Sequence, residues 1–106
     1  MKILIAAALL AATAASPAPS PSGATVHIRN ESFIPATLTV NAGQSVTFVN
    51  DDDDAHTATA DDGAWDSEGL NQGQQWSHAF TTAGKVAYHC TVHPMMHGTI
   101  IVRSGS

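Results

Sequence analysis

The stretch that decides the fold of this chain lies near its C-terminus and reads Val86-Ala87-Tyr88-His89-Cys90-Thr91-Val92-His93-Pro94-Met95-Met96. Its first half alternates in character, so Val86, Tyr88 and Cys90 share one face of a predicted strand. If Val86 and Tyr88 point into a core, the sulfur of Cys90 also points inward, at the end of that strand. The second half is a short loop that carries imidazole and thioether groups.

The side chains of this loop predict a metal site. Cys90, His93 and Met96 follow one another at intervals of three residues, so a tight loop can bring all three to one ion. A fourth donor is needed, and His56 is the leading candidate because it follows a predicted strand. Two imidazoles, a thiolate and a weak thioether are the donors of blue-copper electron-transfer sites. Zinc more often takes a further Cys or His or leaves room for water, and the sulfur donors argue against a hard cation. Met95 competes with Met96 for the axial thioether position.

The rest of the chain reads as short strands separated by turns. Alternating apolar and polar residues, rich in β-branched and aromatic types, occupy residues 25–29, 37–40, 45–48, 75–81, 86–90 and 100–102. Gly-containing turns follow at residues 41–43, 71–73 and 82–84. This pattern predicts an antiparallel β-sandwich or a small barrel. Residues 51–73 are acidic and fit a strand poorly, and we expect a long excursion there with one helical turn.

Composition excludes several function classes. The chain has 106 residues, which predicts one domain. It has 4 Lys and Arg against 9 Asp and Glu, a net charge of -5, which disfavours binding to nucleic acid or to anionic lipid. A single Cys cannot form an internal disulfide, and with 6 His in so small a chain it points to a metal or redox role. We expect a monomer.

The N-terminal residues predict export. Residues 1–15 read as a signal peptide, with Lys2 followed by an apolar run and a small-residue cleavage pattern at residues 12–14. The apolar run is ~13 residues long, which is short for a membrane span of about 20. Residues 16–23 are a Ser/Pro-rich tether, and residues 24–103 are the folded domain. We therefore expect a periplasmic or secreted protein with no membrane span after signal cleavage.

Residues 24–103 resemble the cupredoxins, the family of blue copper proteins. The segments that carry the resemblance are residues 33–43, 46–50, 56–57 and 80–84 and the loop Cys90-x-x-His93-x-x-Met96. The short loop is most similar to that of amicyanin-like and plastocyanin-like members. The resemblance implies an all-β fold, a Greek-key β-sandwich of about seven to eight strands, and one type 1 copper per chain.

The resemblance also implies roles for individual residues. The copper ligands that it implies are His56, Cys90, His93 and Met96, so it selects Met96 over Met95. Asn50 and Thr57 resemble the residues that tie the two ligand loops together beside the metal. The resemblance also implies that His93, the histidine of the loop, lies at the surface in an apolar patch through which electrons enter and leave. The residues expected in that patch are Pro94, Met95, Ile34 and Pro35.

These expectations define a function and an alternative. The chain is predicted to be a one-electron carrier cycling between Cu(I) and Cu(II), and not an enzyme, because four protein donors close the metal. Its partner would be a redox protein such as a c-type cytochrome or a periplasmic oxidoreductase. Residues 51–68 hold eight of the nine acids, as a solvated loop or as a surface that steers a basic partner. The alternative is a copper-handling protein for delivery or storage, in which Met95 and His97 form a second, more labile copper site. His89 is interpreted as a surface residue.

Overall fold

The computed structural model describes residues 24–104. The predicted signal peptide, residues 1–15, and the predicted tether, residues 16–23, lie outside the described residues. Among the residues that are described, no helix has the length and apolar character needed to cross a membrane.

The domain is a sandwich of two four-stranded β-sheets, and residues 24–104 contain no helix. The prediction of an all-β sandwich of about seven to eight strands is therefore confirmed. The strands in chain order are β1 (Thr25–Arg29), β2 (Ser32–Ile34), β3 (Thr37–Asn41), β4 (Gln44–Asn50), β5 (Thr59–Ala60), β6 (Gln75–Phe80), β7 (Gly84–His89) and β8 (His97–Arg103).

The sheets are mixed rather than purely antiparallel. The first sheet has the order β2-β1-β4-β6 and the second has the order β3-β8-β7-β5. Strand β1 pairs with β4 in parallel, and β3 pairs with β8 in parallel. The expectation of an antiparallel sandwich is wrong for these two pairs. The chain leaves the first sheet after β2, adds β3 to the other sheet and returns as β4, and this crossing lets β4 run in the same direction as β1.

The core is built from the alternate residues that the sequence pattern predicts. Val26 and Ile28 of β1, and Val46 and Phe48 of β4, are fully buried. From the opposite sheet, Tyr88 meets the ring of Phe48 edge-on, with ring centroids 5.5 Å apart. A buried side chain of this size contributes on the order of 2 kcal/mol through the apolar surface that it removes from water. These aromatic contacts hold the two sheets together beneath the end of β7, where Cys90 follows.

The acidic segment after β4 is extended and contains no helical turn within the described residues, so the expected helical turn is wrong. Isolated bridges within the segment instead join His56 to Leu70 and Thr59 to Asp66. The two-residue strand β5 also lies in this segment and pairs with β7. We call this segment, residues 51–73, the flap, and its residue His56 lies beside Cys90, the first residue after β7 of the second sheet.

Candidate metal centre

The loop between β7 and β8 carries three of the predicted donors. Cys90 is the first residue after β7 and is fully buried, because it continues the inward face that begins with Tyr88. The loop is closed by two backbone hydrogen bonds, from the N–H of Cys90 to the carbonyl of Met96 at 3.2 Å and from the N–H of Met96 to the carbonyl of His93 at 2.9 Å. These bonds fold the loop tightly, so that Met96 turns inward and is 4% exposed.

His56 reaches the same place from the flap. Its backbone exchanges two hydrogen bonds with Leu70, at 3.1 and 2.8 Å, which fix it across the flap. Its side chain is fully buried, and Nδ1 lies 3.7 Å from Sγ of Cys90. Residues separated by 34 positions in the chain are thus neighbours in space, as the sequence predicts.

The donor atoms converge on one point. One ligand atom from each of His56, Cys90 and His93 lies within 4.8 Å of the others, and Met96 lies beside them. Nδ1 of His93 is buried and has no hydrogen-bond partner. A buried ring nitrogen without a partner is unfavourable in a metal-free protein, and it fits a site in which that lone pair binds an ion. Two imidazole nitrogens, a thiolate and a thioether make copper the cofactor that this site fits.

A carboxylate lies behind the buried histidine. Nε2 of His56 is 2.9 Å from Oδ2 of Asp52. The Asp52 carboxylate also accepts the backbone N–H of Asn30 at 2.8 Å and that of Glu31 at 3.0 Å. The hydrogen bond from Glu31 is the main cause that lowers the pKa of Asp52 below its ordinary value of 3.8. The carboxylate is therefore ionised near neutral pH and acts only as an acceptor.

Thr57 has contacts with both ligand loops. Its backbone N–H points to Sγ of Cys90 at 3.3 Å, and its hydroxyl accepts the backbone N–H of Thr91 at 2.9 Å. The fully buried Asn50 acts differently. Its amide donates to the carbonyls of Asp54 at 2.9 Å and Leu70 at 2.7 Å, so the contacts of its side chain stay within the segment that carries His56.

The remaining sulfur and imidazole groups lie outside the centre. Met95 is 82% exposed, whereas Met96 is buried, so the two methionines face opposite ways. His89 is on the outer face of β7, where Nδ1 lies 2.6 Å from a carboxylate oxygen of Asp61. His97 is exposed at the start of β8. None of these residues contributes an atom to the group of donors formed by the described residues.

The exposed edge of His93 adjoins acidic groups, and the loop that carries His93 also bears exposed apolar side chains. Ile34, Val92 and Met95 are the large apolar side chains that are exposed in the described part of the chain. Oε2 of Glu31 is 3.9 Å from Nε2 of His93. A carboxylate oxygen of Asp54 also lies within 4.8 Å of a ring nitrogen of His93.

The sequence does not reveal the contacts of Asp52 and Glu31 or the exposure of Val92. The spacing of four residues between Asp52 and His56 is visible in the sequence, but it lies within a run of four consecutive Asp. The sequence contains no signal that brings the Asn30–Glu31 turn to this site, because that contact depends on how β1 and β4 pair.

Comparison with known proteins gives a family match and two similar relatives. A family model described as a cupredoxin-like domain matches residues 2–102. Amicyanin of Paracoccus versutus is 30% identical over 82 residues, which cover 73% of this chain and 62% of that protein. Chloroplastic plastocyanin of Chlamydomonas reinhardtii is 34% identical over 85 residues, which cover 67% of this chain and 58% of that protein. The chain thus spans less than two thirds of the length of these relatives.

The fold is also similar to that of a solved metalloprotein. The structure of a Cu(I) form of an amicyanin variant matches with a TM-score of 0.71 and 28% sequence identity, over 80% of this chain and 86% of that chain.

Proposed function

Because the chain belongs to the cupredoxin family, we propose that it is a one-electron carrier with a single copper ion that alternates between Cu(I) and Cu(II). The observation that carries this proposal is the convergence of His56, Cys90 and His93 from two separate loops within 4.8 Å. His56, Cys90, His93 and Met96 would hold the copper, which supplies the one-electron redox couple.

The chain itself contributes rigidity and exclusion of water. His56 and Cys90 are fully buried, and each is fixed by backbone hydrogen bonds on both sides of the centre. A donor set that cannot move costs little to reorganise when one electron arrives or leaves. Four protein donors leave no open position for a substrate, which supports a carrier rather than an enzyme.

Electrons would pass through the exposed edge of His93. The side chain of His93 is 26% exposed, whereas the other donors are buried. Val92 and Met95, which are exposed in the same loop as His93, give this surface the apolar character of a transient docking face. No substrate has to bind, because contact between the partner's redox group and the imidazole edge suffices.

The partner would be a redox protein with a basic face, such as a c-type cytochrome or a periplasmic oxidoreductase. Glu31 lies 3.9 Å from His93, so the negative charge adjoins the surface through which electrons would pass. Complementary charge raises association rates and makes them depend on ionic strength. A periplasmic or secreted location follows from the predicted signal peptide at residues 1–15.

The first experiment is an optical and electron paramagnetic resonance spectrum of the protein loaded with Cu(II). We expect an intense thiolate-to-copper absorption, which Cys90→Ser abolishes because serine cannot supply the thiolate. The matched control is Met95→Leu, which alters an exposed sulfur and should leave the absorption unchanged. A Cys90→Ser protein that stays blue would refute the assignment of the thiolate.

A second experiment separates electron transfer from copper handling. The exposed thioether of Met95 beside the centre is the observation that favours a handling role. A carrier shows fast electron self-exchange by NMR line broadening and keeps its copper against a chelator. A handler shows slow exchange and gives up its copper readily, and that result would replace the carrier proposal.

The charge of the docking face is tested with small reagents of opposite charge. We expect the copper protein to react faster with a cationic than with an anionic cobalt or iron complex at low ionic strength, and Glu31→Gln to reduce that preference. Glu68→Gln removes the same charge from a carboxylate that makes no described contact with His93, and it should have a smaller effect. Equal effects of the two variants would show that only net charge matters.

A further inference from the structure

We propose that Asp52 is a positioning residue for the metal centre, held by the β1–β2 turn so that its carboxylate fixes the orientation and tautomer of His56. The proposal rests on the proposed function only in naming the ion as copper. The β1–β2 hairpin contributes no donor atom to the centre. Through Asp52 it would nevertheless connect the first sheet to His56, the ligand that comes from the flap.

The Asp52 carboxylate is held by hydrogen bonds to both of its oxygens. Oδ1 of Asp52 accepts the N–H of Asn30, and Oδ2 accepts the N–H of Glu31 and lies 2.9 Å from Nε2 of His56. The backbone N–H of Asp52 in turn donates to Oδ1 of Asn50 at 2.9 Å. Both oxygens and the backbone are therefore constrained, so Asp52 presents a fixed acceptor to the imidazole.

The backbone of the β1–β2 turn has the conformation that these hydrogen bonds need. Asn30 and Glu31 form the two-residue loop of the β1–β2 hairpin, since Arg29 pairs with Ser32. Their φ angles are 54° and 56°, in the left-handed region. Asn tolerates this conformation, whereas for Glu it costs on the order of 1 kcal/mol. In this conformation both N–H groups point to one carboxylate, and these two hydrogen bonds offset the cost.

The contact with Asp52 selects one tautomer of His56. An ionised carboxylate can only accept a hydrogen bond, so the short contact with Asp52 requires a proton on Nε2 of His56. In the neutral ring the lone pair is then on Nδ1, the atom that lies 3.7 Å from Sγ of Cys90. A carboxylate hydrogen-bonded to a ligating imidazole also orients the ring and increases its affinity for a metal ion. Asp52 therefore prepares His56 to bind a cation and favours the more highly charged oxidation state.

The experiment has one readout that requires no metal. In metal-free protein labelled with ¹⁵N, we expect the His56 ring to show a protonated Nε2 and an unprotonated Nδ1. Asp52→Ala should abolish this preference and give a mixture of tautomers. Asp53→Asn removes one negative charge from the adjacent exposed position and should keep the wild-type tautomer.

The second readout uses the copper-loaded protein. We expect Asp52→Ala to weaken Cu(II) binding by about 10- to 100-fold and to raise the reduction potential more than Asp53→Asn does. Asp52→Asn keeps an oxygen that can accept from Nε2 but loses the charge. It should therefore preserve the tautomer and still raise the potential, and it replaces Asp52→Ala if that variant does not fold.

The proposal is overturned if wild-type His56 carries its proton on Nδ1, or if the Asp52 variants match Asp53→Asn in both tautomer and potential. These outcomes differ from failure of the proposed function. A protein without a type 1 copper spectrum would refute the carrier, whereas the tautomer in metal-free protein would still test Asp52.

Discussion

The backbone N–H of Thr57 points to the sulfur of Cys90 over 3.3 Å, although the two residues lie 33 positions apart in the chain. A thiolate that accepts a hydrogen bond is less electron-donating and less exposed to oxidation. The same residue holds the loop of Cys90 through its hydroxyl, which accepts the N–H of Thr91 at 2.9 Å. One threonine therefore has two separable roles, one through its backbone and one through its side chain.

The role of the hydroxyl is tested with Thr57→Val. This variant keeps the backbone N–H to sulfur but leaves the partly buried N–H of Thr91 without its acceptor. We expect the free energy of unfolding of the metal-free protein, measured in urea, to fall by about 1 kcal/mol, with little change in the thiolate absorption. Thr39→Val, at an exposed position of β3, is the control and should change stability by less than about 0.5 kcal/mol. A stable Thr57→Val protein with an altered colour would contradict this division of roles.

The axial donor is tested by comparing neighbouring methionines. Met96 is 4% exposed and Met95 is 82% exposed, so only Met96 is placed to contact a buried ion. Glutamine offers a harder oxygen donor that favours Cu(II). We therefore expect Met96→Gln to keep copper and to lower the reduction potential measured by voltammetry, whereas Met95→Gln leaves the potential nearly unchanged. The opposite order would assign the axial position to Met95.

The close contact between Gly98 and Tyr88 predicts a packing defect. These residues are paired across β7 and β8, and a Cβ at position 98 would overlap the ring of Tyr88. Because that ring is fully buried, it cannot move aside. We expect Gly98→Ala to lower the free energy of unfolding by about 1–3 kcal/mol. Gly69→Ala has open space around its Cβ and is the matched control, and equal losses in both variants would rule out the steric explanation.

The aromatic cluster around His78 predicts a pH dependence. The imidazole stacks on Trp76 and Trp65, with ring centroids 5.3 and 5.4 Å away. Desolvation lowers the pKa of His78 from 6.5, so folding favours the neutral ring. This contribution to stability is complete above pH 6.5, the unfolded value, and is lost as the pH falls from there through the lowered folded pKa.

We therefore expect His78→Phe, which keeps the stacked ring without the titration, to lose less stability than the wild type between about pH 7.5 and about pH 5.5. Urea unfolding at the two pH values provides the measurement. His97→Gln, at an exposed position, should retain the wild-type dependence. If His78→Phe loses as much unfolding free energy between the two pH values as the wild type does, desolvation of His78 does not contribute to the acid sensitivity.

The strands and the inward direction of Cys90 could be predicted because alternation along β7 places every second side chain in the core. His56 was predictable because it follows a strand whose pattern is clear. Asp52 was not, because four consecutive Asp look alike in the sequence. Which of them meets the imidazole depends on a turn 21 positions away from Asp52. Strand β5 was missed because a two-residue strand has no period, and its pairing with β7 is set by the flap as a whole.

The parallel pairing of β3 with β8 has a consequence for biosynthesis. Strand β3 (Thr37–Asn41) pairs with Thr99–Arg103 of β8, about sixty positions later. A nascent chain on the ribosome therefore cannot complete the second sheet until these last residues have emerged. Contacts this distant in the chain make folding slow, so the newly made polypeptide passes through an interval in which β3 has no partner strand.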